Sequence, residues 1–219
     1  MINYNYTTIV NIVHIEVVME KADIRVRNKK TKILNNSTTL FKDHDIKKVT
    51  MDDIANLSNV SKMTIYKYFN DKDSLYKYVA EALLDRCYNN LKAQLNPDNN
   101  VIQKMIGVNS VLVDFISEGN LSLCLKLGNL NDEVKLLLEG FSEITKSIMI
   151  DIVREGKSRK LIYEDISDEC IYHYIVMGLS YFQNNLEYRK KIMSEPVFRQ
   201  EFMSFLWKNV FINQSHFST

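Results

Sequence analysis

The chain has 219 residues, 46% hydrophobic and 25% charged, the balance of a globular chain with a substantial core. Its three cysteines are odd in number and far apart, and its four histidines form no cluster, which excludes a disulfide framework and a metal site of recognisable spacing. Only two prolines and six glycines interrupt it, so long stretches run without a helix breaker and the composition reads as all-α.

A net charge of +1 conceals an asymmetry. Glu20 to Ala80 carries an excess of five positive charges, whereas Glu81 to Thr219 carries an excess of three negative ones. A basic front half joined to a mildly acidic remainder points to an anionic partner for the front alone.

The first eighteen residues are β-branched and unlike the rest. Their apolar run, Ile9 to Val18, is too short to span a bilayer and lacks the basic lead-in and cleavage site of a signal peptide. They are read either as an ordered strand or arm, or as an artefact of an upstream start with translation beginning at Met19. From Asn28 the pattern turns helical. Ile33, Leu34, Ser37, Leu40 and Phe41 share one face, with Lys29, Lys30 and Lys32 opposite.

Asp43-His44-Asp45 ends that helix. Thr50 opens a second, with Asp53 placed to complete a capping box and Ile54 and Leu57 expected inward. Asn59 suits a change of direction at positive φ, and Ser61 caps a third short helix through Phe69. Asp71 caps a fourth, longer helix reaching about Leu95. Asn96-Pro97-Asp98-Asn99-Asn100 is the clearest linker. Helices are expected beyond it near Val101–Ser117, Leu121–Leu127, Asp132–Glu155 (one helix, or two split near Gly140), Ser167–Tyr188 and Pro196–Asn213. The organisation is therefore an extension over 1–27, a three-helix unit over 28–73, a connecting helix over 74–95 and a helical domain over 96–219.

Two short helices joined by a tight turn, the second exposing small polar, basic and aromatic side chains, form the layout of a helix-turn-helix that reads the major groove. Ala55 is small where the helices must approach, and Val60, Ile65 and Phe69 can lock the second helix down. Lys62, Met63, Thr64, Tyr66, Lys67 and Tyr68 are left mainly outside.

Thr50-Met-Asp-Asp-Ile54-Ala55, Val60-Ser61-Lys62-Met-Thr64-Ile65-Tyr66-Lys-Tyr68-Phe69 and Lys72 with Leu75 resemble, in order and without a gap, the N-terminal domain of the TetR family; the likeness covers about Asn28 to Leu84. The family usually has Gly where this chain has Asp45, Asn59 and Met63. Asp and Asn can supply turn conformations, but Met63 alters the base-facing surface, so no relative's operator sequence transfers.

The resemblance implies phosphate contacts for Thr50, Tyr66, Tyr68 and Lys72, and base-edge contacts for Lys62, Met63, Thr64 and Lys67, with Ser61 completing the DNA-facing set. It further implies a C-terminal ligand-binding and dimerisation domain, in which the helices near Ser167–Tyr188 and Pro196–Asn213 pair with their copies through Met177-Gly178-Leu179-Ser180 and a Phe202, Phe205, Leu206 stripe. Met105, Cys124, Tyr172, His173 and Met177, soft or polar residues on apolar helices, are candidates to line an effector pocket.

The expectation is a cytoplasmic, homodimeric regulator that binds a double-stranded operator and responds to an unidentified small-molecule effector, with no cofactor, metal or membrane. It acts as a repressor; the alternatives are an activator without an effector, or a nonspecific all-α DNA-binding protein, for which more basic charge is expected. No nucleophile elbow, phosphate loop or metal motif suggests an enzyme.

Overall fold

The computed structural model describes residues 21–212, so the first twenty residues, including the β-branched run, lie outside the described part. Among the described residues ten helices follow one another: α1 Lys21–Asp43, α2 Met51–Ser58, α3 Lys62–Phe69, α4 Lys72–Gln94, α5 Val101–Ser117, α6 Asn120–Gly128, α7 Asp132–Ser158, α8 Asp168–Asn184, α9 Leu186–Ser194 and α10 Pro196–Lys208. The described residues contain no strand, only an isolated antiparallel bridge between Ile162 and Phe211, so the all-α expectation holds.

Local chemistry sets most boundaries. Thr50 and Asp53 close a reciprocal capping box at α2, and Ser61, Asp71, Asn100, Asn131 and Ser167 cap α3, α4, α5, α7 and α8 with their side chains. Asn59 adopts φ 53° at the end of α2, and Asn70 adopts φ 58° at the end of α3. Asp45 needs no left-handed backbone: its Oδ1 accepts the Lys47 amide at 3.0 Å, and its carbonyl accepts the Lys48 and Val49 amides at 2.9 and 3.2 Å.

Several expectations are corrected. Helix α1 starts at Lys21, seven residues before Asn28, because nothing between them breaks a helix although no apolar stripe marks it. Leu57 is 48% exposed; Ser58, one turn after Ile54, takes the inward place, and the Asn36 amide donates to its hydroxyl at 3.2 Å. Helix α7 runs unbroken through Gly140. The single helix expected over Ser167–Tyr188 divides at Asn185, whose side chain caps the short α9, and the last helix stops at Lys208.

One continuous core ties the ends together. Ile33, Phe41, Ile54, Ile65 and Phe69 gather on Leu75 and Val79 of α4. The same helix continues through Leu83, Cys87 and Leu91 into the apolar interior formed by Met105, Leu127, Met149, Ile152 and Trp207. Polar ties reinforce the junction: Lys42 of α1 donates to the Glu118 carbonyl at 2.8 Å and to Asn120 Oδ1 at 2.6 Å, Lys77 pairs with Glu133 at 2.5 Å, and Asn131 donates to the Asp73 carbonyl at 3.2 Å. Among the described residues no helix is long and apolar enough to cross a membrane.

Candidate nucleic-acid interface

Helices α2 and α3 are two turns each, so neither is stable alone, and their mutual orientation rests on tertiary contacts. Asn59 in the left-handed region returns the Val60 amide to the Ala55 carbonyl at 3.1 Å. Ala55, small and 4% exposed, lies on the buried side of α2 beside the turn. Ile65 and Phe69, four apart and both buried, fix the inner face of α3, with the Phe69 ring edge-on to Tyr78 of α4 at 5.3 Å.

The opposite face of α3 is turned outward as the sequence predicts. Met63 is 83% and Tyr66 42% exposed, Lys62 and Lys67 are exposed, and Thr64 and Tyr68 are half-buried. Within this face several groups already have partners. The Lys62 ammonium pairs with Asp52 across the helix pair at 2.7 Å, and that hydrogen bond holds its pKa above the ordinary value. The Ser61 and Thr64 hydroxyls lie 2.8 Å apart, and the Ser61 hydroxyl also accepts the Thr64 amide at 3.2 Å. Reading a base with Lys62 therefore means exchanging a solvated carboxylate partner for a guanine acceptor, an exchange between two exposed hydrogen bonds and not the exposure of a buried charge.

Two expected phosphate ligands sit differently from the rest. The Thr50 hydroxyl donates to Asp53 Oδ2 at 2.7 Å, and the Asp53 carboxylate, also bonded by the Thr50 amide, is held below its usual pKa. With Asp52 and Asp53 both in its first turn, the α2 N-terminus is partly neutralised by its own side chains. Lys72 Nζ donates to the Ile46 and Lys47 carbonyls at 2.9 and 3.2 Å, tying the α1–α2 connection to the start of α4; burial lowers its pKa, against the opposing pull of Asp45. In the free chain these two residues hold the frame on which the groove-facing residues stand.

Sequence reading overlooked two contributors. Asn36 donates to the Leu57 carbonyl at 3.1 Å as well as to Ser58, fastening α1 to the end of α2. Lys30 does not point away from the core as its neighbours do; its ammonium lies 5.5 Å from the Tyr68 ring centroid, beside the recognition helix. The polar Asn36 among apolar helix positions was a visible signal, whereas the Lys30–Tyr68 contact depends on where the tertiary fold sets the start of α1.

The five effector candidates are not brought together. Met105 and Cys124 are fully buried in the core, and burial pushes the Cys124 thiol up to about 12. Tyr172 is half-buried beneath Lys146, while His173 is exposed near Glu169 and Met177 is 64% exposed, because these two lie one turn apart on the outer side of α8. A cleft of about 270 Å³ lies elsewhere, between α5, α8 and α10, lined among others by Ile106, Asn109, Gly178, Phe202 and Met203. Asn109 is 1% exposed; its amide donates to the Met203 sulfur at 3.5 Å while its Oδ1 has no partner.

Residues 33–79 match the model of the family described as "Bacterial regulatory proteins, tetR family". The chain is 25% identical over 142 residues to the biofilm operon icaADBC HTH-type negative transcriptional regulator IcaR of Staphylococcus aureus (strain Newman), covering 64% of this chain and 76% of that protein. It is 20% identical over 156 residues to the HTH-type transcriptional repressor KstR2 of Mycolicibacterium smegmatis, covering 68% and 74%. Among solved structures, the ketosteroid transcriptional regulator KstR2 of Mycobacterium tuberculosis superposes with a TM-score of 0.62 at 12% identity over 84% of this chain and 95% of that one. The crystal structure of superantigen PfiT has the same fold, with a TM-score of 0.70 at 15% identity over 84% and 97%. A helix-turn-helix whose outward face carries hydroxyls, amines and tyrosines, matched by that family's model and set on a helical C-terminal half, makes this chain a TetR-like DNA-binding transcriptional regulator.

Proposed function

We propose that the chain is a homodimeric, cytoplasmic repressor whose grip on an operator is released by a small molecule. The observation that carries the reading is the outward face of α3. Met63, Tyr66 and Lys67 stand exposed on a helix anchored by Ile65 and Phe69, the arrangement a rigid groove reader requires. Thr50, Tyr66, Tyr68 and Lys72 serve phosphates, and Ser61, Lys62, Met63, Thr64 and Lys67 serve the base edges and their surroundings. Repression is favoured because IcaR and KstR2, the two relatives above, carry that role in their names.

Dimerisation is favoured by apolar side chains left facing solvent on the last helices: Met177 and Tyr181 of α8, and Val197 and Phe205 of α10. Leu206 turns inward instead, packing within its own subunit beside Gly178. A two-fold partner also lets paired recognition helices enter successive major grooves. For the effector, the cleft beside Asn109 replaces the five scattered candidates, since an acceptor without a partner in an apolar cleft invites a ligand that is largely apolar and carries one hydrogen-bond donor. The division into a DNA-binding unit before residue 74 and a regulatory domain after residue 96 belongs to this reading, with α4 and the Lys42 tie to Glu118 and Asn120 as the mechanical link between them.

The test is retention of DNA fragments from around the chain's own gene by the purified protein, followed by a screen for compounds that release the retained fragment. One fragment held far above random DNA, and lost with Tyr66→Ala, supports the proposal. Full affinity in the Tyr66→Ala variant, or equal affinity for every fragment, defeats it.

A further inference from the structure

Between Asp23 and Asp43 the chain has no acidic residue but six basic ones: Arg25, Arg27, Lys29, Lys30, Lys32 and Lys42. All but Lys42 fall in the stretch 24–32, which is helical and exposed throughout, and none pairs with a carboxylate among the residues whose side chains are described. At about 1.5 Å per residue this part of α1 runs roughly 13 Å beyond Ile33, the first buried residue of the helix. Helical phase then separates its charges. Ile33, Ser37 and Phe41 mark the side of α1 turned to the core. Lys30 continues that side one turn earlier and Arg27 follows it along the adjoining flank, whereas Arg25 and Lys32 fall on the far side.

The position of Lys30 places this row beside the recognition helix, because its ammonium stands 5.5 Å from the centre of the Tyr68 ring. We infer that α1 is a second DNA-contacting element, in which Arg27 and Lys30 engage backbone phosphates adjoining those reached by Tyr68 and extend the footprint of each protomer along the duplex. The inference rests on the DNA-binding reading of α3 but adds a surface which the helix-turn-helix does not include. A contiguous, unneutralised basic row beside an interface for a polyanion has duplex DNA as its complementary occupant. Arg27 can grip a phosphate through two parallel N–H donors and Lys30 acts as a point charge. Contacts of this kind add affinity and fix register without reading sequence.

The experiment compares two double variants of the full chain on the operator and on random duplex across a salt series. Each phosphate contact contributes about 0.9 to the slope of log affinity against log salt, so Arg27→Gln with Lys30→Gln is expected to lower the dimer's slope by about 3 to 4. Operator and random DNA should lose affinity in the same proportion. Arg25→Gln with Lys32→Gln removes the same charge from the far side and is expected to change the slope by less than about 1, as a diffuse field effect. All four positions are exposed, so unchanged helical circular dichroism and melting serve as the folding control. An unaltered slope in the first variant, or equal losses in both, overturns the inference while the wild type and Tyr66→Ala still report on the helix-turn-helix. If the wild type binds no duplex, it is the underlying DNA-binding reading that fails.

Discussion

Met63 occupies a recognition-helix position where the family usually has glycine, and its side chain is 83% exposed on the first turn of α3. Met63→Ala removes the thioether end from a site with almost no protein contacts and leaves a better helix former behind, so the fold should change by less than about 0.5 kcal/mol. On DNA the balance differs. Burying the removed groups against a thymine methyl is worth about 0.8 kcal/mol for each methylene equivalent, or about 1 kcal/mol per half-site if the end of the side chain is half desolvated. Two half-sites give about 2 kcal/mol, a loss of roughly 30-fold in operator affinity. Fluorescence anisotropy on the operator and on a scrambled duplex at one salt concentration, beside a thermal melt, separates the two effects. Equal weakening on both duplexes, or undiminished operator binding, refutes Met63 as a base-edge contact.

Four further expectations follow from the geometry. The Asp53 carboxylate is held below its usual pKa of 3.8 by the Thr50 hydroxyl and amide, so its cap stabilises the fold above that pH and is lost as pH falls through the lowered value; the gap in melting temperature between wild type and Asp53→Ala should persist at neutral pH and narrow as the pH is taken below 3.8. Burial pushes both the Cys87 and Cys124 thiols up to about 12, whereas Cys170 is exposed; an aromatic disulfide reagent at pH 8 should label Cys170 rapidly and the other two only on unfolding. Met177→Glu with Phe205→Glu places charges at exposed apolar positions, and sedimentation should find protomers with unchanged helix content and no operator affinity. In Gly156→Ala the new Cβ would lie 2.5 Å from Ile162 Cδ1 and 3.2 Å from Val101 Cγ1; the overpacking should cost about 1 to 3 kcal/mol and lower the melting temperature by several degrees.

The helix-turn-helix was legible from residues alone because its determinants are local. A capping box needs only Thr50 and Asp53 three apart, the turn only an Asn that tolerates φ 53°, and the inner face only Ile65 and Phe69 one turn apart. Leu57 misled for a related reason. In a two-turn helix the third and fourth positions after Ile54 compete for the core, and the partner helix, through Asn36, selects Ser58. The five effector candidates are scattered by the fold. Periodicity assigns a residue to a face but does not say which face meets a cavity, and Asn109, which borders the cleft between α5, α8 and α10, reads in sequence as one polar residue among many.

By itself the sequence determined the all-helical class, the capped starts of α2, α3 and α4, and the basic outward face of α3, since hydrogen bonding to nearby backbone and a 3.6-residue period act within a few residues. Only the tertiary structure decided that Lys72 ties down a turn, that Lys30 reaches Tyr68, and that Asn185 splits the helix before α9. Those outcomes depend on where one helix crosses another. That crossing is settled by the packing of side chains tens of residues apart in the chain, for which no local pattern exists.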